Sequence, residues 1–297
     1  MSTNATHPTL PVLSLLYSAS LWGVLWYPLR ELDKAGLHGV WSTLVLFGAA
    51  LSVGGWMALP KLSGARGAWP ALLTMALANG WCNVAFIVAI LDGNVVRVTL
   101  LFFLSPLWAT LLARVLLGEH ISLHAWGVLA VALGGAVTML WNVELGYPWP
   151  QDLADGLAIS SGVAFALSNV FVRKTESVPL AVKTACAWSG VVLIALLWIA
   201  VSGLEFPHVS TMAWGGAAVL GMVGILTMTV AVQYGVSHMP VHRSAVIMLF
   251  ELVASAVSSQ FLTNEIVQMH EWMGGALITL AAYFAARSHL EHPHGPD

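Results

Sequence analysis

Apolar stretches of about 20 residues follow one another along nearly the whole of this chain, and they limit its possible folds more than any other feature. About 20 apolar residues are enough for a helix to cross a bilayer. The stretches lack the alternation of polar and apolar residues that a barrel strand shows. Each therefore predicts a membrane-spanning helix, whose backbone groups are satisfied internally. Ten such spans are predicted, at about residues 10–30, 38–59, 69–91, 94–117, 123–141, 153–173, 180–202, 211–236, 240–262 and 269–287.

The scarcity of charged residues excludes a soluble fold. Asp, Glu, Lys and Arg make up 8% of the 297 residues and hydrophobic residues 58%, whereas about 25% of residues are charged in soluble domains. The 11 Lys and Arg residues are scattered at the edges of apolar stretches, without a basic stripe. We therefore expect the lipid bilayer to surround most of the chain, and we expect no nucleic-acid partner.

One uncommon pattern, E-x4-H-x-W, occurs twice in the chain. A shift of 146 residues superposes Glu119 on Glu265, His124 on His270, Trp126 on Trp272 and Arg97 on Arg243, and a slightly different shift places Arg30 over Arg173. We interpret this as an internal duplication, with five-span repeats at residues 10–142 and 153–288. An odd number of spans reverses the second repeat, so the predicted fold is all-α and integral to the membrane, with ten helices in two inverted repeats. Inverted repeats recur in secondary transporters.

The positions of the cations predict the orientation. With the N-terminus in the cytoplasm, eight Lys and Arg residues fall on the inside and three on the outside, which agrees with the positive-inside rule. The inside set is Lys61, Arg66, Arg114, Arg173, Lys174, Lys183, Arg243 and Arg287, and the outside set is Arg30, Lys34 and Arg97. Both termini are therefore predicted to be cytoplasmic, in a bacterial inner membrane.

Specific residues resemble a known family. Gly118-Glu119 after the fourth span and a glycine-rich fifth span, with Gly127, Gly134 and Gly135, resemble an EamA-type transporter of the drug/metabolite transporter superfamily. The resemblance covers about residues 10–287. It implies alternating access, a midplane site, and the export of amino acids or similar metabolites.

The second half departs from the family pattern at two places. Asn264-Glu265 replaces Gly-Glu, and Leu252 stands where a proline often follows the mid-helix Glu. We therefore expect the ninth span to lack the kink that Pro106, a candidate hinge, introduces in the fourth.

Glu251 is the sharpest single candidate for the mechanism because it lies near the middle of the ninth span. An ionised carboxylate facing lipid there costs at least about 2.5 kcal/mol. We expect it to face the bundle interior and to bind a proton or the amino group of a substrate. The alternative is a protonated Glu that packs between helices.

Other polar and aromatic residues at membrane depth are further candidates for the binding site. Asn79 and Asn83 lie one turn apart in the third span, and Gln233 and Tyr234 lie in the eighth; such residues either line a cavity or join helices. Trp22 and Trp26 are assigned first to the interfacial aromatic belt, and otherwise to an aromatic wall around the substrate. The remaining candidates are Thr99, Phe103, Ser161 and Asn169.

The residues of the duplicated pattern have simpler interpretations. Glu119 and Glu265 precede the fifth and tenth helices, where a carboxylate satisfies free amide groups. We prefer this anchoring role to a proton relay. Arg97 and Arg243 are expected to snorkel to the membrane surface, with attraction of anionic substrates as the alternative.

Enzyme and scaffold are the rival classes. An H-E-x-x-H zinc motif begins at His270 but fails because Gly274 occupies the last position. We expect no enzyme activity, no metal and no cofactor. A small-molecule substrate is expected, with protons as the candidate coupling ion. A multidrug or organic-cation exporter and a non-transporting scaffold are the alternatives. Convergence of Asn79, Asn83, Gln233 and Glu251 on one central cavity would favour transport.

Overall fold

The computed structural model describes residues 9–37, 39–141, 150–263 and 267–291, and this part of the chain is helical without a strand. The first half contains α1 (Thr9–Lys34), α2 (Gly39–Ala58), a 3₁₀ segment (Leu59–Ala65), α3 (Trp69–Asp92), α4 (Val95–Phe102), α5 (Ser105–Leu116) and α6 (Leu123–Leu140). The second half contains α7 (Leu153–Lys174), α8 (Leu180–Ser202), α9 (Thr211–Val219), a π segment (Leu220–Ile225), α10 (Leu226–His238), α11 (Val241–Met248), α12 (Phe250–Leu262) and α13 (Met269–Glu291).

The predicted spans correspond to helices or to pairs of consecutive helices. In the described residues, nine of them are long and apolar enough to cross a membrane, so the chain is an integral membrane protein. The tenth span, α13, is not among these nine. Its apolar stretch is shortened by His270 and Glu271 at one end and by Arg287 near the other.

Two spans are interrupted at equivalent positions. The fourth span divides into α4 and α5, and the ninth into α11 and α12. A shift of 146 residues carries the bounds of α4 onto those of α11, because Val95 falls on Val241 and Phe102 on Met248.

The ninth span breaks without a proline, contrary to the expectation drawn from Leu252. The backbone N–H of Leu252 donates to the carbonyl of Leu249 at 3.0 Å, and that of Leu249 donates to Val246 at 3.2 Å. The fourth span has the same tight bond, from Leu107 to Leu104 at 2.9 Å. These i to i−3 bonds locally replace the i to i−4 bonds of an α-helix. The two interruptions therefore share a tightened turn, and they do not share a proline.

The helix packing is symmetric when the halves are exchanged. The first helix of each half packs on the third span of the other, as α1 does on α10 and α7 on α3. Each first helix also packs on the interrupted span of the other half, as α1 does on α12 and α7 on α5. The third span of each half also packs on the second helix of the other, as α3 does on α8 and as α9 with the π segment does on α2. Two further contacts join equivalent helices to each other, α2 to α8 and α6 to α13.

Two polar contacts define the ends of the bundle. At the Asp155 end, Arg97 near the start of α4 meets Asp155 near the start of α7. At the Glu119 end, Glu119 beyond α5 meets Val241 at the start of α11. Because α4 begins at one end and α11 at the other, the two interrupted spans run in opposite directions.

Candidate substrate pathway

Both interruptions lie against the first helix of the other half at very short range. A Cβ atom on Gly23 of α1 would lie 2.5 Å from the carbonyl oxygen of Glu251, and one on Gly162 of α7 would lie 2.9 Å from that of Phe102. Only glycine allows backbones to approach so closely. Each broken helix is therefore held against the opposite half at its break.

Close to each break, a buried serine of one half forms a hydrogen bond with the other half. Ser18 of α1 donates to the carbonyl of Met228 at 3.0 Å, and Ser161 of α7 donates to that of Cys82 at 2.7 Å. Cys82 and Met228 are 146 residues apart, which is the shift that superposes Glu119 on Glu265. Ser18 and Ser161 are 143 residues apart, which is the shift that superposes Arg30 on Arg173. The two bonds are thus equivalent in the two halves. Sequence analysis identified Ser161 but missed Ser18, although the shift of 143 points to it.

Glu251 is half-buried in the first turn of α12, directly after the break. A carboxylate there is favoured by the positive end of the helix. The backbone carbonyl of Glu251 lies against Gly23 of α1. Glu251 therefore lies where α12 packs on α1.

Trp26 contacts the interior side of the ninth span. Its indole N–H donates to the Ser258 hydroxyl at 2.9 Å, and Ser258 in turn donates to the carbonyl of Gly23 at 3.1 Å. The guanidinium carbon of Arg30 lies 4.8 Å from the centre of a Trp26 ring. These contacts join Trp26 to the ninth span, and the aromatic-wall interpretation stays a prediction. Trp22, one turn earlier, is partly buried against the core.

The two asparagines of α3 act between and within helices. Asn79 donates to the carbonyl of Ala187 on α8 at 3.2 Å, and Asn83 donates to the carbonyl of Asn79 at 2.9 Å. The Asn79 amide therefore joins α3 to α8, whereas the Asn83 amide bonds within α3. Neither contact links them to Gln233 or Glu251.

The eighth span carries buried polar groups without a described partner. Gln233 is 5% exposed and Thr229 6%, and neither Oε1 of Gln233 nor Oγ1 of Thr229 has a hydrogen-bond partner among the described residues. The two residues lie one turn apart on α10. A buried polar atom without a partner is costly, so this face of α10 is the best-supported polar surface among the candidates. The neighbouring Tyr234 ring stacks on His238 with centroids 4.2 Å apart.

Aromatic residues surround the break of the fourth span. Phe103 is buried and lies 5.3 Å from Phe102, which also contacts Phe86 at 4.6 Å and Phe165 at 5.8 Å between ring centroids. Sequence analysis chose Phe103 but missed Phe102, the centre of this cluster.

The other candidates of the fourth and sixth spans lie near the same break. Thr99 accepts the backbone N–H of Phe103 through its carbonyl, Pro106 lies in the first turn of α5, and Asn169 is buried in α7.

Glu119 caps a different helix from the one predicted. The first turn of α6 is capped by Ser122, which accepts from the N–H of Ala125 at 3.1 Å. Glu119 instead accepts from the N–H of Val241 at 3.0 Å and bonds Nδ1 of His242 at 2.7 Å. Burial raises the pKa of the Glu119 carboxyl group, but these hydrogen bonds outweigh burial and hold the pKa below its ordinary value. Glu265, its counterpart in the repeat, lies outside the described residues.

Arg97 and Arg243 do not snorkel, so that expectation is wrong. Arg97 is 8% exposed, and its Nε lies 2.6 Å from an oxygen of Asp155, which is 1% exposed. Arg243 is 4% exposed and is attracted by Glu119. Sequence analysis missed Asp155, since the acid lies 58 residues away along the chain.

A cavity of about 20 Å³ lies at the Glu119 end, between α5, α6, α11 and α13. No residue predicted for substrate binding lines it. The predicted convergence of Asn79, Asn83, Gln233 and Glu251 on one central cavity is therefore not seen at this cavity.

The apolar helices and the buried polar contacts between the halves define an α-helical integral membrane protein. The model of the EamA-like transporter family matches residues 9–141 and 152–287 of this chain. The chain therefore belongs to the EamA-like transporter family and is a membrane transporter, which confirms the resemblance noted in the sequence.

Individual proteins show the same likeness. An uncharacterized transporter of Archaeoglobus fulgidus is 28% identical over 217 residues, which are 73% of this chain and 76% of the relative. A protein of known crystal structure superposes with a TM-score of 0.75 at 18% identity, over 97% of this chain and 99% of the other. At that identity the likeness shows the fold alone.

Proposed function

We propose that this membrane transporter is a secondary transporter that exports amino acids or similar small metabolites by alternating access between two inverted repeats. One observation carries the proposal: two interrupted spans at equivalent positions run in opposite directions, each against the first helix of the other half. Two exchangeable half-structures produce inward and outward states of similar energy. No ATP-binding motif occurs in the sequence, so we propose that transport is driven by an ion gradient or is facilitative.

The substrate region of this proposal is the space next to the two breaks. Glu251 follows one break, and Phe102 and Phe103 lie at the other. Trp26 provides an aromatic surface on α1, and Gln233 provides a buried amide on α10. A carboxylate with aromatic and amide groups matches an ammonium-bearing metabolite, because aromatic faces and carboxylates attract cations.

We assign Glu251 the binding of a coupling proton or of the substrate amino group. The group lies in the first turn of α12, next to a break and where the Glu251 backbone packs on Gly23 in α1 of the other half. A change in its charge would therefore act on the contact between the halves.

The test is transport into proteoliposomes with labelled amino acids, organic cations and organic anions, under an imposed pH gradient and in counterflow. Glu251→Gln should abolish pH-driven transport while substrate exchange survives. The matched control is Glu205→Gln, at an exposed position beyond α8, which should leave both assays unchanged. Unchanged pH-driven transport in Glu251→Gln would reject the coupling role.

An organic-cation exporter is the second candidate, supported by the Arg30 guanidinium lying over the Trp26 ring. This contact shows that the ring face already accepts a cation. Saturable transport of organic cations, with no amino acid transported, would select this candidate and retain the architecture.

A further inference from the structure

The cavity at the Glu119 end has a polar lining that the proposed central site does not use. Its polar lining residues are Thr110, Ser122, His124, His242, Arg243 and Ser288. Arg243 and His242 are 4% and 5% exposed, so their polar groups lie inside the protein and not on its surface. Among the lining residues that the structure describes there is no Asp or Glu.

The charge around the cavity favours an anion. Arg243 is always cationic, and the first turns of α6 and α11 both border the cavity with their positive ends. The Glu119 carboxylate, which attracts Arg243, is bonded to Nδ1 of His242 at 2.7 Å. Nε2 of His242, on the opposite side of the ring, is buried.

The size of the cavity limits what can enter it. A volume of about 20 Å³ holds one water-sized group. One oxygen of a carboxylate fits such a space when the rest of its molecule extends outward past exposed His124 and half-buried Ser288. The planar guanidinium of Arg243 suits the two oxygens of a carboxylate.

We propose that this cavity binds the carboxylate group of a small organic acid or amino acid, as a loading site at the Glu119 end of the transporter. The loading role rests on the proposed function, since the bound molecule would be the transported substrate. Carboxylate binding itself does not depend on transport. The ligand is held by Arg243, by the hydroxyl groups of Ser122 and Ser288 and by the first turn of α6.

Binding is tested with the purified full-length protein in detergent, by calorimetry and thermal unfolding. The probes are sodium acetate, alanine, alaninamide chloride and sodium chloride at matched ionic strength. We expect acetate and alanine to bind and to raise the unfolding temperature, whereas alaninamide and chloride do not. Equal binding of chloride, or no binding of either carboxylate, would overturn the assignment.

Two variants test whether the carboxylate binds in this cavity. Arg243→Gln should weaken carboxylate binding at least tenfold, because a charge-assisted pair is lost. Arg114→Gln is the matched control, since Arg114 is exposed near the end of α5 and does not line the cavity. Ala125→Met fills the cavity without changing a charge and should have the same effect as Arg243→Gln. This second variant decides the test if Arg243→Gln does not fold.

Binding and transport together separate the two proposals. Carboxylate binding that depends on Arg243, in a protein that transports none of the panel, would retain the site and reject the amino acid exporter. Amino acid transport with an unchanged KM in both Arg243→Gln and Ala125→Met would retain the exporter and overturn the loading site.

Discussion

Single polar side chains connect helices that are distant in sequence. Ser18, Ser161 and Glu119 each bond a backbone group at least 79 residues away. Inside a bilayer the two serines have no water to bond, so the bond that each makes contributes to stability. Residue type alone identified Glu119 and Ser161 as candidates, but it could not identify their partners.

The contact between Glu119 and the start of α11 predicts a dependence of stability on pH. Because folding lowers the pKa of Glu119, the ionised group stabilises the fold at pH values above about 4.3, the ordinary pKa of Glu. This stabilisation is lost as the pH falls through the lower pKa of the folded state. Wild type should thus exceed Glu119→Gln in unfolding temperature at pH 7, and the difference should shrink in more acidic solution.

Thermal unfolding in detergent over a range of pH checks this expectation. Glu205→Gln, at an exposed position, serves as the control and should follow wild type. A difference between wild type and Glu119→Gln that does not change with pH would contradict the assigned role of the charge.

The equivalent serine bonds predict equal effects in the two halves. Ser18→Ala and Ser161→Ala should each reduce the free energy of unfolding by about 0.5–1.5 kcal/mol, because each leaves a buried carbonyl without its donor. Ser189→Ala is the control, since exposed Ser189 bonds only within its own helix. Unfolding in mixed detergent micelles gives the values. A change confined to one of the two buried serines would argue against their equivalence.

At the scale of elements, the interruptions show what local sequence determines. Pro106 predicts the break in the fourth span, because a proline disrupts the helix that precedes it. The break at Leu249 has no such residue, and its tight i to i−3 turn lies where α1 packs against the chain. An explanation of the second break therefore has to include the helices that pack around it. The helix propensities of the residues alone did not reveal this break.

The contact between α6 and α13 depends on two glycines that face each other. A Cβ atom on Gly274 would lie 2.5 Å from the carbonyl oxygen of Gly135, and one on Gly135 would lie 2.7 Å from that of Gly274. Gly274→Ala should therefore separate the helices and cost about 1–3 kcal/mol of stability.

Gly134→Ala is the matched control, because a Cβ atom there would contact nothing within 4 Å. It should stabilise α6 by about 0.5–1 kcal/mol. The measurement is thermal unfolding of both variants in detergent. Equal stability of the two variants would show that this close approach is not required.

At the scale of the whole molecule, the large contacts between the two halves are symmetric. Each large contact of a helix in one half with the other half has an equivalent contact when the two halves are exchanged. The division at residues 10–142 and 153–288 stays a prediction, and it is supported by equivalent breaks, equivalent serine bonds and the reciprocal contact of Gly135 with Gly274. A duplicated chain with an odd number of spans produces this symmetry when its repeats face each other.

The orientation of the molecule in the membrane is predicted from its cations. The Glu119 end carries Arg173, Lys183 and Arg243, so it should face the cytoplasm. After replacement of Cys82 and Cys186 by Ala, Glu205→Cys should react with an impermeant maleimide on intact bacterial cells. Ser63→Cys, in the exposed 3₁₀ segment at the Glu119 end, should react only after permeabilisation. If Ser63→Cys reacted on intact cells and Glu205→Cys reacted only after permeabilisation, the predicted orientation would be wrong.

The sequence by itself determined the membrane spans and the family, because apolar length and Gly118-Glu119 are local features that can be read along the chain. The internal duplication, inferred from repeated rare residues, stays a prediction. Tertiary structure alone decided that Glu119 caps α11, that Arg97 pairs with buried Asp155, and that the ninth span breaks at Leu249. These outcomes depend on which helices become neighbours, and neighbours in a bundle are chosen by packing across many residues and not by the properties of any one segment.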